Sequence, residues 1–217
     1  MTEQQGLRER KKQETWRSIA ETARRLFKER SFDAVTVDDV AHEAHVSRKT
    51  VFNYFPTKED LFFSGMEVFE EQLLDAIRER ERGESILAAF ERFLTTQQGL
   101  LAADDPDAGE RLYGIVRMIA ETPKLQAREQ QIYARYADAL AELVAEETGA
   151  GKDDVTPWVV ANGMIGAHKA VVAYVRRRVL SGERDPRRIA RGVRAQARRA
   201  VALLERGLGD LGRNAPS

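Results

Sequence analysis

Cysteine is absent from the 217 residues, which excludes disulfide frameworks, thiolate zinc sites and cysteine nucleophiles together. No apolar run approaches the roughly 18 residues of a membrane-spanning helix, and the charged N-terminus lacks the apolar stretch of a secretory signal. These absences predict a cytoplasmic protein without a membrane partner. Glycine (15) and proline (6) are too few for a low-complexity chain. Net charge is also missing, since 35 basic side chains meet 35 acidic ones. What is present, 42% hydrophobic and 32% charged residues, suits a globular protein long enough to bury a core unaided.

The zero sum hides an uneven distribution. Residues 1–30 carry 9 basic and 5 acidic side chains, residues 61–160 carry 10 and 20, and residues 161–217 carry 13 and 4. A basic front segment can meet a polyanion locally, because binding follows the nearby field rather than the total charge. The basic residues Arg8, Arg10, Lys11 and Lys12 fit an arm reaching phosphates, or equally a solvated tail.

Apolar residues recur at steps of three and four almost everywhere, and no alternating β-branched run is long enough for a sheet. The fold class is therefore all-α. Trp16, Ile19, Ala20, Ala23, Leu26 and Phe27 mark one face of a first helix. Thr36 with Asp39, and Thr57 with Asp60, have the spacing of capping boxes, and Ser47 opens a short helix stopped by Pro56. The second box predicts one long helix through Leu61, Met66, Phe69, Leu73 and Ile77, ended by Gly83. Helices over 86–102, 108–121, 125–147, 155–180 and 187–208 follow, separated by Asp-Pro, Thr-Pro and glycine breaks. Nine helices result.

Residues 31–61 carry the chemistry. They read as a capped helix, a turn at His45-Val46 and a second capped helix, which is a helix-turn-helix able to lay its second helix in a major groove. Val46, Val51 and Phe55 face inward, leaving Arg48, Lys49, Phe52, Asn53 and Tyr54 outward. Arginine and lysine reach guanine or phosphate, asparagine pairs with adenine, and aromatic rings meet thymine methyls.

The stretches IAETARRLFKERSFDAVTV, DDVAHEAHVS and TVFNYFPTKEDLF resemble the TetR-type family of bacterial transcriptional regulators over residues 13–62. The resemblance implies a nine-helix fold, with a three-helix DNA-binding domain over 1–57 and a helical effector-binding and dimerisation domain over 58–217. It implies a non-enzymatic, ligand-responsive repressor that binds double-stranded operator DNA as a homodimer. Thr36 and Lys58 would then grip phosphates at helix N-termini, Thr50 and Tyr54 would bond the DNA backbone, and Arg48, Lys49, Phe52 and Asn53 would approach bases. Two positions depart from the pattern: His45 replaces the usual turn glycine, and Phe52 stands where tyrosine is common.

Other signals are weaker. His42 and His45 are three apart, not the four of a zincin helix, and no metal or cofactor is expected. No nucleophile motif accompanies His168. Trp158, Ala161, Ile165, His168, Val172, Val175 and Val179 form one stripe, beside a small-residue face of Gly163, Gly166, Ala167 and Ala170. Ile189, Val193, Ala197, Ala200, Leu204, Leu208 and Leu211 form another on the last helix. In the family the last two helices build the dimer interface, which assigns Ile165, Val172, Val175, Val179, Val193, Ala197, Ala200 and Leu204 to it, with the C-terminal arginines at its rim. The family's effector pocket lies among the middle helices. Phe90, Phe93, Tyr113, Met118, Tyr133, Tyr136, Trp158, Met164 and His168 are candidates to line it, for an acyl-CoA or another hydrophobic molecule.

Overall fold

A computed structural model describes residues 3–96, 99–102 and 105–207, excluding the side chains of residues 3–9 and 67. Among the described residues the regular structure is all helical. The elements are α1 Glu3–Arg30, α2 Val37–Glu43, α3 Arg48–Tyr54, α4 Lys58–Phe62, α5 Met66–Arg78, α6 Ile86–Thr95, α7 Ala108–Glu121, α8 Pro123–Thr148, α9 Thr156–Leu180 and α10 Pro186–Arg206. A 3-10 turn, Gly99–Leu101, follows α6. Leu208 and Leu211 lie outside the described residues.

The all-α class stands, but the long helix expected after Thr57 is two helices. Phe63 leaves helical geometry at φ −89° and ψ 17°. The Met66 N–H then bonds the Phe63 carbonyl at 2.8 Å, a tighter turn than an α-helix makes. Buried Ser64 and exposed Gly65, both weak helix formers, occupy that break. The helix expected to Ala102 ends at Thr95, where Thr96 turns to extended backbone at φ −71° and ψ 128°, and the hydroxyls of Thr95 and Thr96 bond the carbonyls of Glu91 and Arg92 at 2.8 Å.

The chain divides into two compact units, Met1–Val68 with Met118–Arg128, and Phe69–Arg117 with Glu129–Ser217. In the first, Ile19, Ala23 and Leu26 of α1 share a buried core with Val35, Val40, Val51, Phe55 and Leu61. The Phe27, Phe32 and Phe62 rings cluster at centroid distances of 5.3 to 6.0 Å. That packing carries α4 into this unit, past the boundary at 57 expected from the pattern. Both capping boxes form, with Thr36 and Thr57 accepting from the amides of Asp39 and Asp60.

In the second unit α9 and α10 run antiparallel. Leu204 lies against Gly163, and the Tyr174 hydroxyl fills the space a Cβ on Gly192 would need. A larger residue at position 192 would have to displace the Tyr174 ring. Asp185 caps α10, accepting from the Arg187 amide at 2.9 Å, ahead of a first-turn proline. Val116, Val179 and Ile189 form a local core with Tyr113, Val175 and Val193 packed on it.

Candidate nucleic-acid interface

The helix-turn-helix is tied at each joint. His45 adopts φ 53°, the left-handed conformation usually given to glycine, which histidine tolerates better than most side chains. The Val46 N–H then returns to the Ala41 carbonyl at 3.0 Å. Ser47 caps α3 by accepting from the Thr50 amide at 3.0 Å, and its hydroxyl meets the Thr50 hydroxyl at 2.7 Å. Val51 and Phe55 anchor the inner face, Phe55 against Trp16 at 5.6 Å.

Arg48, Lys49, Phe52 and Asn53 are all exposed on the outer face, with Thr50 and Tyr54 half-buried beside them. Phe52 is 38% exposed. The Arg48 guanidinium lies over its ring at 5.5 Å while donating to Asp38 at 2.9 Å. Asp38 was not among the expected site residues. Its place in the second position of a capped helix, ten residues before Arg48, is the one signal that pointed to it.

Two expected phosphate ligands stand differently. The Thr36 hydroxyl and amide both donate to the Asp39 carboxylate, at 2.6 and 2.7 Å. These hydrogen bonds hold Asp39 below the usual carboxylate range. Thr36 therefore has to release Asp39 before its hydroxyl donates to a phosphate. The Lys58 ammonium is laid over the Phe32 ring at 4.3 Å, and partial burial lowers its pKa. It must leave that ring to reach a backbone oxygen. Arg10, Lys11 and Lys12 are exposed on α1, so these three form part of a helix rather than a loose arm; the Arg8 side chain lies outside the described residues.

The expected effector residues scatter. Phe93, Tyr133, Tyr136 and His168 are buried together in the second unit, joined by Phe69. Phe90 and Met164 are buried too. Tyr113 belongs instead to the Val116 core, under the Arg184 guanidinium at 3.7 Å, Met118 lies in the first unit, and Trp158 is 51% exposed. The sequence reading placed Arg176 at a rim and passed over Glu129. The structure pairs half-buried Arg176 with buried Glu129, the Tyr133 hydroxyl lying 3.5 Å from the same carboxylate. Spacing of four between Glu129 and Tyr133 was the available signal.

The residues expected at a dimer interface also make contacts within the chain. Ile165, Val179 and Ala197 are buried inside the chain itself. Val175 and Val193 pack on its core, Leu204 lies on Gly163, and Val172 and Ala200 are half-buried. Apart from Trp158, the large residues of the stripe are buried or half-buried within the unit. Val159, Asn162, Gly166 and Ala170 of α9, with Val155 just ahead of it, are exposed at helical spacing, and Trp158 is exposed beside them. Among the described residues no group of His, Asp or Glu could hold a metal, and no helix is long and apolar enough to cross a membrane.

Known proteins share this organisation. The family described as bacterial regulatory proteins, tetR family, matches residues 19–64, and the MftR C-terminal domain family matches residues 84–208. The chain is 32% identical over 170 residues to the mycofactocin biosynthesis transcriptional regulator MftR of Mycobacterium tuberculosis, covering 76% of this chain and 80% of that protein. It is 26% identical to the transcriptional regulator TcmR of Streptomyces glaucescens, over 69% and 67% of the two chains. NalD, the secondary repressor of the MexAB-OprM efflux pump in Pseudomonas aeruginosa, shares the fold at a TM-score of 0.52 and 19% identity, over 87% and 97% of the chains. With a helix-turn-helix presenting a basic and aromatic row, and a C-terminal domain of the MftR type, the chain belongs to the TetR family of bacterial transcriptional regulators.

Proposed function

We propose that the chain is a repressor that binds a palindromic operator as a homodimer through α3 and leaves it when a small hydrophobic or amphipathic molecule occupies the second unit. The observation that carries the reading is the outward row of Arg48, Lys49, Phe52 and Asn53 on a doubly anchored helix. Those side chains have the donors and apolar edges that major-groove readout needs. The second copy covers the outer face of α9, where Val155, Val159, Gly166 and Ala170 leave room for close helix approach. Release is a population shift: the effector favours a dimer whose recognition helices no longer match the operator. Coupling of about 1–3 kcal/mol is typical, and operator DNA must weaken effector binding by the same factor. Its place of work is the bacterial cytoplasm, and it performs no catalysis.

The relative named for mycofactocin biosynthesis makes genes of that pathway, and the protein's own upstream region, the first DNA to try. Mobility shifts at several salt concentrations test the reading. The expected result is a preference for one of these fragments over shuffled DNA, with affinity falling as salt rises. Equal binding to shuffled DNA at every salt overturns it.

A further inference from the structure

Three side chains from two helices meet on the outer surface of the helix-turn-helix. Asp38 lies in the first turn of α2, and Arg48 and Phe52 lie one turn apart on α3. A carboxylate oxygen of Asp38 accepts from Arg48 Nη1 at 2.9 Å, and the guanidinium carbon stands 5.5 Å from the centroid of the Phe52 ring. Both charged side chains are more than half exposed. A pair so solvated does little for the stability of the fold. On a surface that meets a polyanion the carboxylate is even a cost, since it repels the phosphates. Its effect has to be sought in what it does to Arg48.

A free arginine on a recognition helix is satisfied by any phosphate, and such contacts carry no sequence information. Asp38 alters that in two ways. Its charge offsets that of Arg48, so the pair is close to neutral and adds little to the attraction for a generic duplex. Lys49, next in the chain, has no carboxylate partner among the described residues, which leaves its charge for the backbone. The second way is geometric. Arginine carries five N–H groups in a planar fork. Asp38 takes one at Nη1, while Nε and Nη2 have no partner among the described residues. That remaining edge matches the paired acceptors O6 and N7 of guanine. Held by Asp38 at one nitrogen and by Phe52 on one face, the guanidinium gives up less rotamer freedom when it binds.

We propose that Asp38 is a specificity-determining residue, which withholds Arg48 from phosphates and orients it to read a guanine in the major groove. The inference rests on the reading that α3 enters that groove, and it names the base that Arg48 reads and the side chain that makes it selective. Asp38 acts through Arg48 and is a positioning residue.

Fragments selected from a random pool by the full-length wild type give the motif, and the base at which Arg48→Ala loses preference marks the contact. Affinities are then measured by mobility shift on that site, on the same site with that base replaced, and on shuffled DNA at several salt concentrations. Asp38→Ala should bind shuffled DNA more tightly than wild type, with a salt slope steeper by about one as Arg48 turns to a phosphate. Its discrimination at the guanine should fall about tenfold, the scale of one bidentate base contact. With Arg48→Ala already in place, Asp38→Ala should change no base preference. A substitution that merely loosened the fold would weaken binding to all DNA, the opposite of the first result. Should Asp38→Ala melt well below wild type, Asp38→Asn, of the same shape without the charge, takes its place with shifts in the same directions. Full guanine discrimination without Asp38, an unchanged salt slope, a base other than guanine opposite Arg48, or a loss of preference that persists without Arg48 overturns the inference and leaves α3 as the reading helix. A wild type that enriches no motif overturns both.

Discussion

Arg48 and Asp38 of the first unit stand 2.9 Å apart with side chains 61% and 63% exposed. Arg176 and Glu129 of the second meet with side chains 29% and 5% exposed. The same pair of charges does different work in the two places. At the surface, water screens the attraction and the pair is worth little, but its partners stay free to exchange one another for DNA. Buried Glu129 cannot be left without its half-buried partner, so the pair fixes the α8–α9 packing around Tyr133 and His168. The first unit holds this pair where a partner can reach it, whereas the second encloses Glu129 against Arg176.

The largest expected effect breaks the buried pair. Glu129→Ala leaves Arg176 uncompensated and should lower unfolding free energy by about 3–4 kcal/mol, with Glu129→Leu/Arg176→Leu restoring most of it. Urea denaturation measures both, and a loss below about 1 kcal/mol for the single variant would place the pair in surface-like surroundings.

His168 gives a pH effect of roughly 3 kcal/mol. Its folded-state pKa of about 4 lies below the 6.5 of an ordinary histidine. Between those values the unfolded chain takes up a proton that the folded chain refuses. This contribution is therefore complete above about pH 6.5, declines as pH falls, and levels off below about 4. His168→Phe should remove that part of the slope, as pH-dependent denaturation will show; an identical slope in both proteins assigns it to other groups.

Smaller effects belong to the DNA-binding unit. Ser47→Ala should lower stability by about 1 kcal/mol through loss of the α3 cap, with a parallel loss of DNA affinity; thermal melts and mobility shifts follow the two together. Asp38→Ala should change stability by less than about 0.5 kcal/mol, because the pair it breaks is solvated. Its consequence should appear instead in the base preferred opposite Arg48. A large drop in melting temperature would show that the two units do not differ in the way described.

Much of the DNA-binding unit was legible because its structure is dictated locally. Capping boxes at Thr36 and Thr57, a left-handed turn at His45 and inward Val51 and Phe55 all rest on neighbours a few residues apart. What was missed there, the retraction of Thr36 onto Asp39 and of Lys58 onto Phe32, depends on where a side chain turns once its backbone is set. The second unit was legible as helices but not as contacts. Its stripes contain enough apolar residues to serve either a core or a partner, and spacing alone does not say which. On α9 Met164, Ile165, His168 and Val179 turned inward, while Trp158, Val159, Gly166 and Ala170 turned outward. The Glu129–Arg176 pair joins residues 47 apart in sequence, which no helical period reveals. The break at Ser64–Gly65 is a local signal that a strong flanking pattern of Leu61, Met66, Phe69 and Leu73 concealed.

Selection of bound fragments from a random DNA pool tests the central claim, that α3 reads sequence for a dimer. Wild type should enrich a palindrome with two half-sites about one helical turn apart, or a multiple of it. Lys49→Ala and Asn53→Ala should each relax preference at particular bases, while Lys58→Ala weakens all fragments alike and reduces the salt slope by about one. Enrichment of no motif by wild type, or the same motif with uniformly weaker binding in all three variants, would contradict the assignment of reading to α3.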